Sequence, residues 1–410
     1  MLNRIKQGYN EFPGTFKVLT LVTFIDSLGK FFLFPFFALY ITAKFSVGMI
    51  VVGIFMGILS GGNLIGGFVG GALADRFGRR FIILFGLIGS GIGSLFIGLS
   101  NSLLLLLIFA GTFGILNNLG APARQAMVAD LLPTKKQPKG YGTLRISVNL
   151  SATIGPIIGG LLATQSYMLL FISDALSSLI TAVIVFLVIP ETKPGNIEEL
   201  GEESIFNTIG GYKSVLKDGL FVAFCIISLL ISLVYIQLNS TLSVFLRDVH
   251  GFPEQYFGYI LSTNALMVVL FQFWIANKVS KYDPMKTMAF GALWFMVGFT
   301  MYGFVSEFYM FFVAMAIITV GEMITSPVSQ TSVAHFAPKD KRGRYMAFHG
   351  FTYALPSTFG IILAGFVIEY IGPNWVWYFA GIISLVASVG FWYLRKAAKE
   401  RFENEQEKKM

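Results

Sequence analysis

Two acidic residues lie deep inside long apolar runs of the sequence. Asp26 is about ten residues into one run, and Lys30 follows four residues later, on the same face of a helix. Glu322 is about fourteen residues into another run. A carboxyl group that is withdrawn from water can gain and lose a proton near neutral pH, and its carboxylate attracts cations. The sequence therefore predicts that Asp26 and Glu322 couple proton movement to another process.

Each of these residues also has a structural interpretation. Asp26 and Lys30 could form an ion pair that only lowers the cost of inserting both charges into a membrane. Glu322 could make a hydrogen bond to a neighbouring helix. Two further charges receive structural roles at this stage. Asp174 lies about seven residues from the start of its run, and Arg124 lies near the end of another, where a long side chain can reach the interface.

The elements that hold these residues must span a membrane. Only 13% of the 410 residues are charged, and the mean hydropathy is +0.71. Soluble domains have about 25% charged residues, and an apolar helix of about 20 residues spans a bilayer. Lipid offers no hydrogen bonds to the backbone, so the runs are predicted to be helices. Twelve spans, numbered one to twelve below, are predicted at residues 16–43, 47–73, 81–99, 102–128, 142–164, 167–188, 220–245, 255–278, 285–305, 308–335, 344–369 and 375–396.

A polar stretch divides the spans into six plus six. The predicted parts are an N-terminal six-helix bundle (1–188), a cytoplasmic linker (189–219), a C-terminal six-helix bundle (220–396) and a cytoplasmic tail (397–410). At an offset of 205 residues, Pro122 matches Pro327 and Gln125 matches Gln330, which indicates a duplication. Most lysines and arginines fall on the side of both termini, and the positive-inside rule makes this side cytoplasmic. The predicted location is the cell membrane.

The stretch GALADRFGRR between spans two and three combines glycines with charges. Its residues of interest are Gly71, Asp75, Arg76, Gly78, Arg79 and Arg80. Both glycines would permit a tight turn. Asp75 could face a helix N-terminus, and Arg79 could bridge Asp75 and a second acid. The alternative is that the arginines only anchor the loop at the cytoplasmic side, but this leaves Asp75 and the glycines unexplained.

Three stretches resemble a known family of transporters. The GALADRFGRR loop resembles the signature loop of the major facilitator superfamily. The segment Gly155-Pro156-x-x-Gly159-Gly160 in span five resembles the motif of its 12-span drug:proton antiporters, as does the segment from Pro122 to Leu131. The resemblance implies an all-α membrane protein with 12 transmembrane helices in two pseudo-symmetric six-helix bundles.

The resemblance also implies roles for particular residues. The GALADRFGRR loop would form a conformational latch, with Asp130 as the second acid of Arg79. The segment Gly155, Pro156, Gly159 and Gly160 would form a kink, although close packing alone could explain it. The resemblance allows Arg145 a gating role, although its position near a cytoplasmic helix end, where a long side chain can reach the interface, could alone explain it. In the superfamily, spans one, four, seven and ten line the central cavity, which gives a set of predicted substrate-cavity residues: Lys30, Asn117, Asn118, Gln237 and Asn239.

The sequence departs from the family pattern at two places. Between spans eight and nine, the second copy of the loop has Asn277 where Asp75 would be, and lysines replace arginines. The latch is therefore predicted to be stronger in the N-terminal half. In span four, Ala110 stands where many drug antiporters carry an arginine, which leaves proton exchange to the two acids named first.

The predicted function is secondary active transport by alternating access, with proton-coupled efflux of amphipathic or drug-like organic molecules. The sequence has no Walker-type phosphate loop, so ATP is not the expected direct energy source. The alternatives are uptake or facilitated transport of a polar metabolite, lipid flipping, or a non-transporting receptor; Lys30 could bind an anion. An enzyme, a cofactor and a metal site are not predicted. The expected partners are a small organic substrate, protons and the lipid bilayer, without nucleic acid, and the chain is expected to function as a monomer.

Overall fold

The computed structural model describes residues 12–192, 215–338 and 341–407, and within these ranges it contains helices and no strand. Most of the predicted linker and the end of the predicted tail lie outside the described residues. The helices of the first half are Gly14–Leu33, Phe37–Phe45, Met49–Phe77, Arg79–Leu99, Leu103–Leu119, Ala121–Leu131, Gln137–Gln165 and Tyr167–Val188. Those of the second half are Gly219–Tyr235, Thr241–Asp248, Glu254–Val279, Pro284–Tyr302, Phe308–Phe336, Arg342–Ala354, Ile361–Tyr370 and Trp375–Glu407.

Eleven helical segments of the described chain are long and apolar enough to cross a membrane. They correspond to the predicted spans one to eight and ten to twelve. Span nine is the 19-residue helix Pro284–Tyr302. At 1.5 Å per residue it is about 28 Å long, close to the thickness of the hydrocarbon layer of a bilayer. The chain is therefore a multi-pass membrane protein.

Spans one and seven are each divided by a short 3-10 turn. The turn in span one is Phe34–Phe36, and the turn in span seven is Ile236–Asn239. Pro35 accounts for the first break, because proline has no N–H to donate to the helix. The similar position of the break in the two halves agrees with the predicted duplication.

Contacts group the chain into two compact units. Unit 1 comprises Met1–Val47, Ile54–Ile197 and Gly251–Ala265, and unit 2 comprises Gly48–Gly53, Glu198–His250 and Leu266–Met410. Each unit has an apolar core at its lysine- and arginine-rich end. In unit 1 the core includes Phe16, Leu87, Met127 and Val185. In unit 2 it includes Phe221, Phe224, Met288, Phe336 and Phe391. These cores fix the helices that carry the polar side chains described next.

Candidate functional site

An ion cluster surrounds Asp26 inside unit 1. The carboxylate is 1% exposed, and its Oδ2 lies 2.6 Å from Nη1 of Arg124 and 3.0 Å from Nζ of Lys30. The Lys30 ammonium also donates to the backbone carbonyl of Asn117 at 3.4 Å. Two cations offset the cost of burying one carboxylate. Asp26 therefore forms the ion pair with Lys30 that one interpretation predicted. It also forms a second ion pair, with Arg124, that the sequence did not predict.

The position of Arg124 differs from its prediction. Span four breaks at Gly120, and the helix Ala121–Leu131 resumes with Arg124 in its first turns. The Arg124 guanidinium then reaches Asp26 within the unit and not the membrane interface. The contact joins helices that are distant in sequence, so the run around Arg124 alone could not predict it. The available signal was a basic residue inside a predicted span.

A cavity of about 370 Å³ adjoins the ion cluster in unit 1. Its wall is mainly apolar and includes four aromatic residues: Phe31, Phe34, Phe37 and Phe113. Four residues give it polar character: Ser27, Lys30, Asn117 and Asp174. The Oδ1 atoms of Asn117 and Asp174 are buried and accept no hydrogen bond from the described residues. The prediction that Asp174 is only structural is thus incomplete, because its carboxyl lines this cavity.

Glu322 lies in unit 2, where it lines a smaller cavity of about 110 Å³. The wall of this cavity carries several hydroxyl groups, from Ser228, Ser232, Tyr235, Ser326, Ser329 and Tyr353. The hydroxyl of Tyr235 is hydrogen-bonded to the Glu322 carboxylate. Glu322 therefore has both the predicted hydrogen bond to a neighbouring helix and a place beside a cavity.

A buried histidine extends the polar groups of unit 2. The Ser329 Oγ lies 3.1 Å from Nε2 of His349. Tyr353 is hydrogen-bonded to the same serine and also lines the cavity of Glu322. A hydroxyl of this cavity thus contacts a buried imidazole.

The predicted substrate-cavity residues do not all meet. Lys30 and Asn117 share the cavity of unit 1. Asn118 instead donates to the backbone carbonyl of Asn63 in span two, at 2.9 Å. Gln237 is buried, donates to the carbonyls of Leu233 and Gly360, and accepts from Thr241. Asn239 lies in the 3-10 turn of span seven. The predicted gating residue Arg145 is exposed on span five.

Arg79 joins the ends of three spans in unit 1. Its side chain is 8% exposed, with Nε 3.0 Å from Oδ2 of Asp130 and Nη2 3.5 Å from Oδ1 of Asp75. Asp130 is 18% exposed, whereas Asp75 is 64% exposed, so the pair with Asp130 is better shielded from water. Arg76 lies over the ring of Phe77. The geometry brings the predicted acids to Arg79, while their action as a latch stays a prediction.

The turn between spans two and three requires one glycine instead of two. The helix Met49–Phe77 includes Gly71, and the next helix begins at Arg79. Gly78 alone connects them, with a φ of 103° that is strained for any residue with a side chain. A side chain at Gly71 would make only an ordinary contact with Pro122. The prediction that Gly71 forms the turn is wrong, because span two stays helical beyond its apolar run.

Glu191 is a further residue of this network and is not among the predicted ones. Its Oε1 accepts from the backbone N–H of Arg79 at 2.9 Å, and its Oε2 accepts from that of Arg80 at 3.1 Å. An acid at these free amides caps the start of span three. Glu191, and not Asp75, therefore occupies the helix N-terminus. Thr192 also donates to Asp130 at 2.9 Å. The signal in the sequence was an acid directly after span six.

The glycine-proline segment lies inside an uninterrupted helix. The helix Gln137–Gln165 continues through Pro156. Side chains at Gly155 or Gly159 would collide with span one, and a side chain at Gly160 would come within 2.8 Å of the backbone of span eight. The segment therefore permits close helix packing. Its predicted role as a kink stays a prediction.

At the lysine- and arginine-rich end of unit 2, a different cluster of side chains connects the helices. Asp218 accepts two hydrogen bonds of 2.7 Å from Arg401 and one of 2.8 Å from the Tyr345 hydroxyl, and it caps span seven at Phe221 N. Partial burial alone would raise the pKa of Asp218, but the bonds from Arg401 and Tyr345 and the helix cap hold it below its ordinary value. This carboxylate ties the final helix to the start of span seven.

The sequence matches a known protein family and is similar to characterised members of it. A sequence model described as Major Facilitator Superfamily matches residues 19–287 and 238–409. The Na(+), Li(+), K(+)/H(+) antiporter of Planococcus maritimus is 27% identical, over 92% of this chain and 94% of the relative. The multidrug resistance protein MdtH of Shigella flexneri is 24% identical, over 91% of this chain and 93% of the relative.

Solved structures with low sequence identity have the same fold. The nucleoside transporter NupG is similar with a TM-score of 0.82 and 13% identity, over 93% of this chain and 100% of that chain. A POT family transporter in complex with 5-aminolevulinic acid has a TM-score of 0.77 and 18% identity, over 94% and 97%. At these identities the likeness supports the architecture alone.

Proposed function

The chain belongs to the Major Facilitator Superfamily, and from this premise we propose that it is a proton-coupled antiporter that exports amphipathic, drug-like organic molecules. It works by alternating access, in which the binding cavity opens to one side of the membrane at a time. The family and the similar proteins named above are transporters and not enzymes. The proposal adds the direction, the coupling ion and the class of substrate.

The observation that carries the proposal is the cavity of unit 1. Four aromatic side chains form an apolar surface that can accept solutes of different shapes. Lys30, Asn117 and Asp174 supply a few polar contacts, which orient a solute without enclosing it in a specific set of hydrogen bonds. Such a wall suits amphipathic molecules better than a sugar, whose many hydroxyl groups each need a partner.

We assign proton coupling first to Glu322. Its partner Tyr235 is neutral, so protonation of Glu322 breaks no ion pair with that partner. Asp26 lies between two cations, and protonation there would disrupt two ion pairs. Asp26 remains a predicted coupling residue, but its partners favour a role in holding spans one and four together.

The network of Arg79 is proposed to act as the latch of unit 1. It connects the end of span two, through Asp75, with Asp130 after span four and Glu191 after span six. These ends lie on the predicted cytoplasmic side. We expect the network to form in one transport state and to rearrange in the other, as a two-state element must.

The test uses purified protein in liposomes with an imposed proton gradient. Movement of ethidium or another organic cation against its own gradient, abolished by a protonophore, supports the proposal. If no member of a broad panel of dyes and metabolites moves, the protein is not an antiporter of this class, and a receptor function takes its place.

A second candidate function is the exchange of monovalent metal cations for protons. It is favoured by the relative from Planococcus maritimus, which is a Na(+), Li(+), K(+)/H(+) antiporter by name. The same liposomes distinguish the two. Under this alternative, a sodium or potassium gradient alone changes the internal pH, and ethidium neither moves nor competes.

A further inference from the structure

Asp174 is the buried acid of unit 1 that the ion cluster leaves without a cation of its own. Its side chain is 2% exposed, and no lysine or arginine of the described chain forms an ion pair with it. Its Oδ1 accepts no hydrogen bond from the described residues. A buried carboxyl with an unused oxygen is costly unless a proton or a bound cation satisfies it.

Close packing of spans one and six places Asp174 beside the ion cluster. A side chain at Gly29 would collide with the hydroxyl of Ser177 and lie 3.2 Å from the Cα of Asp174. Glycine at this position therefore lets span six approach span one directly next to Lys30. As a result, Lys30 and Asp174 line the same cavity.

The polar groups around Asp174 come from several helices. Span one presents the charges of Lys30 and Asp26, and span three presents the hydroxyl of Ser94, which donates to the backbone carbonyl of Phe171. Span four contributes Asn117, whose Oδ1 is the second buried oxygen of the cavity without a donor. Span five contributes the apolar Val148. Two unused oxygens therefore share one mainly apolar cavity.

We propose that Asp174 and Asn117 form the subsite for the positively charged group of an organic ammonium substrate, and that Asp174 exchanges a proton for this group. The proposal rests on the proposed transport function and gives the residue and the chemical class. The ammonium group is bound by the carboxylate and the amide oxygen, while its apolar part packs on the phenylalanines. Two protein oxygens are too few to replace the water shell of a sodium ion.

The exchange conserves the charge of the cavity. Asp26 offsets one of the two cations Lys30 and Arg124, so one positive charge remains when Asp174 carries its proton. Binding of a monovalent cation to the ionised carboxylate leaves the same net charge. The proton passes from the Asp174 carboxyl to water in the cavity as the cation enters. Proton and substrate are thus alternative occupants of one carboxylate.

The direct test labels the protein in nanodiscs with dicyclohexylcarbodiimide, which reacts with protonated carboxyl groups in apolar surroundings. Mass spectrometry then identifies the labelled residue. We expect labelling of Asp174 that increases at lower pH and is prevented by ethidium but not by sodium chloride. Labelling of Asp26 in place of Asp174, or protection by sodium alone, would overturn the proposal.

Variants provide the second test through ethidium binding as a function of pH. For one competing proton, the apparent Kd of the wild type should rise towards tenfold per pH unit as the solution is acidified. Asp174→Asn should bind weakly with no such slope, and Asn117→Ala should bind several-fold more weakly with the slope intact. The control Asp248→Asn changes an exposed acid and should match the wild type. A wild-type slope in Asp174→Asn would contradict the proposal.

The test of the subsite and the test of the transport function can fail separately. If Asp174 is labelled and protected by ethidium but liposomes show no transport, the transport function fails and the subsite stands. If transport occurs and Asp174→Asn keeps its proton coupling, the subsite fails and the transport function stands.

Discussion

Asp26 in unit 1 and Glu322 in unit 2 have opposite kinds of partner. In unit 1, Asp26 lies between the cations Arg124 and Lys30. In unit 2, Glu322 is bonded to a tyrosine hydroxyl and lines a cavity of hydroxyl groups. Charge pairing fixes a carboxylate in its ionised form, whereas hydroxyl partners can adapt to either form by rotating their hydrogens. The contrast teaches that the partners of a buried acid, more than its depth, indicate whether it can carry a proton.

The contrast continues at the lysine- and arginine-rich ends of the units. In unit 1, Arg79 gathers acids from the ends of three spans. In unit 2, the residue that corresponds to Asp75 is Asn277, and the ion pair of Asp218 with Arg401 ties a different set of helices. The two units therefore differ in the contacts that join their helix ends.

The largest effect is expected for Arg124→Gln, which leaves the buried Asp26 without its closest cation. Loss of one partner of a buried ion pair should lower the free energy of unfolding by about 3–5 kcal/mol. Denaturant unfolding in detergent measures this. Arg247→Gln is the control, because its pair with Asp248 is partly exposed and should contribute no more than about 1 kcal/mol. Equal stability of the two variants would show that the Asp26 cluster is not held by charge.

Glu322→Gln should impair proton-coupled transport without unfolding the protein. The amide can still accept the hydrogen bond of Tyr235, so the protein should remain folded, while gradient-driven transport falls by at least about tenfold. Asp26→Asn should also reduce transport, but together with stability, because it removes two ion pairs. Transport assays at several pH values and unfolding measurements distinguish the two. An unchanged pH dependence in Glu322→Gln would remove Glu322 from the coupling path.

Among the latch variants, the loss of turnover should be larger where the acid that is changed is more deeply buried. Asp130→Asn removes the better shielded charge partner of Arg79 and should slow turnover by about tenfold, which corresponds to about 1.4 kcal/mol. Asp75→Asn, at an exposed position, should impair turnover less, and both variants should insert normally. Initial transport rates at equal protein levels test this order. The reverse order would assign the latch to Asp75.

The smallest effect is expected for Asp218→Asn, which should change how the stability of the protein depends on pH. Because the pKa of Asp218 is lower in the folded protein than in the unfolded chain, its contribution to stability is complete above about pH 4. It is lost as the pH falls through the folded pKa. Asp218→Asn should therefore be less stable at neutral pH and lose less stability on acidification. Parallel stability curves for the two proteins between pH 3 and 7 would contradict this assignment.

The sequence predicts well those features that depend on one helix at a time. The spans and the acids within them follow from hydropathy and composition. The partners of those acids depend on contacts between distant helices, so the pairing of Arg124 with Asp26 could not be predicted from local pattern. Glu191 was missed for a related reason, since its role depends on amide groups at the start of span three. Gly71 was misplaced because a helix can continue beyond its apolar run into water.

The central claim is that substrate and protons move in opposite directions through this protein. Its most direct test records internal pH with a trapped dye while ethidium is added outside sealed, weakly buffered proteoliposomes that contain the wild-type protein. Because each entering ethidium is exchanged for a leaving proton, the account predicts that ethidium entry makes the interior more alkaline, and that Glu322→Gln strongly reduces this signal while the protein stays folded. Ethidium movement with a constant internal pH would contradict the account.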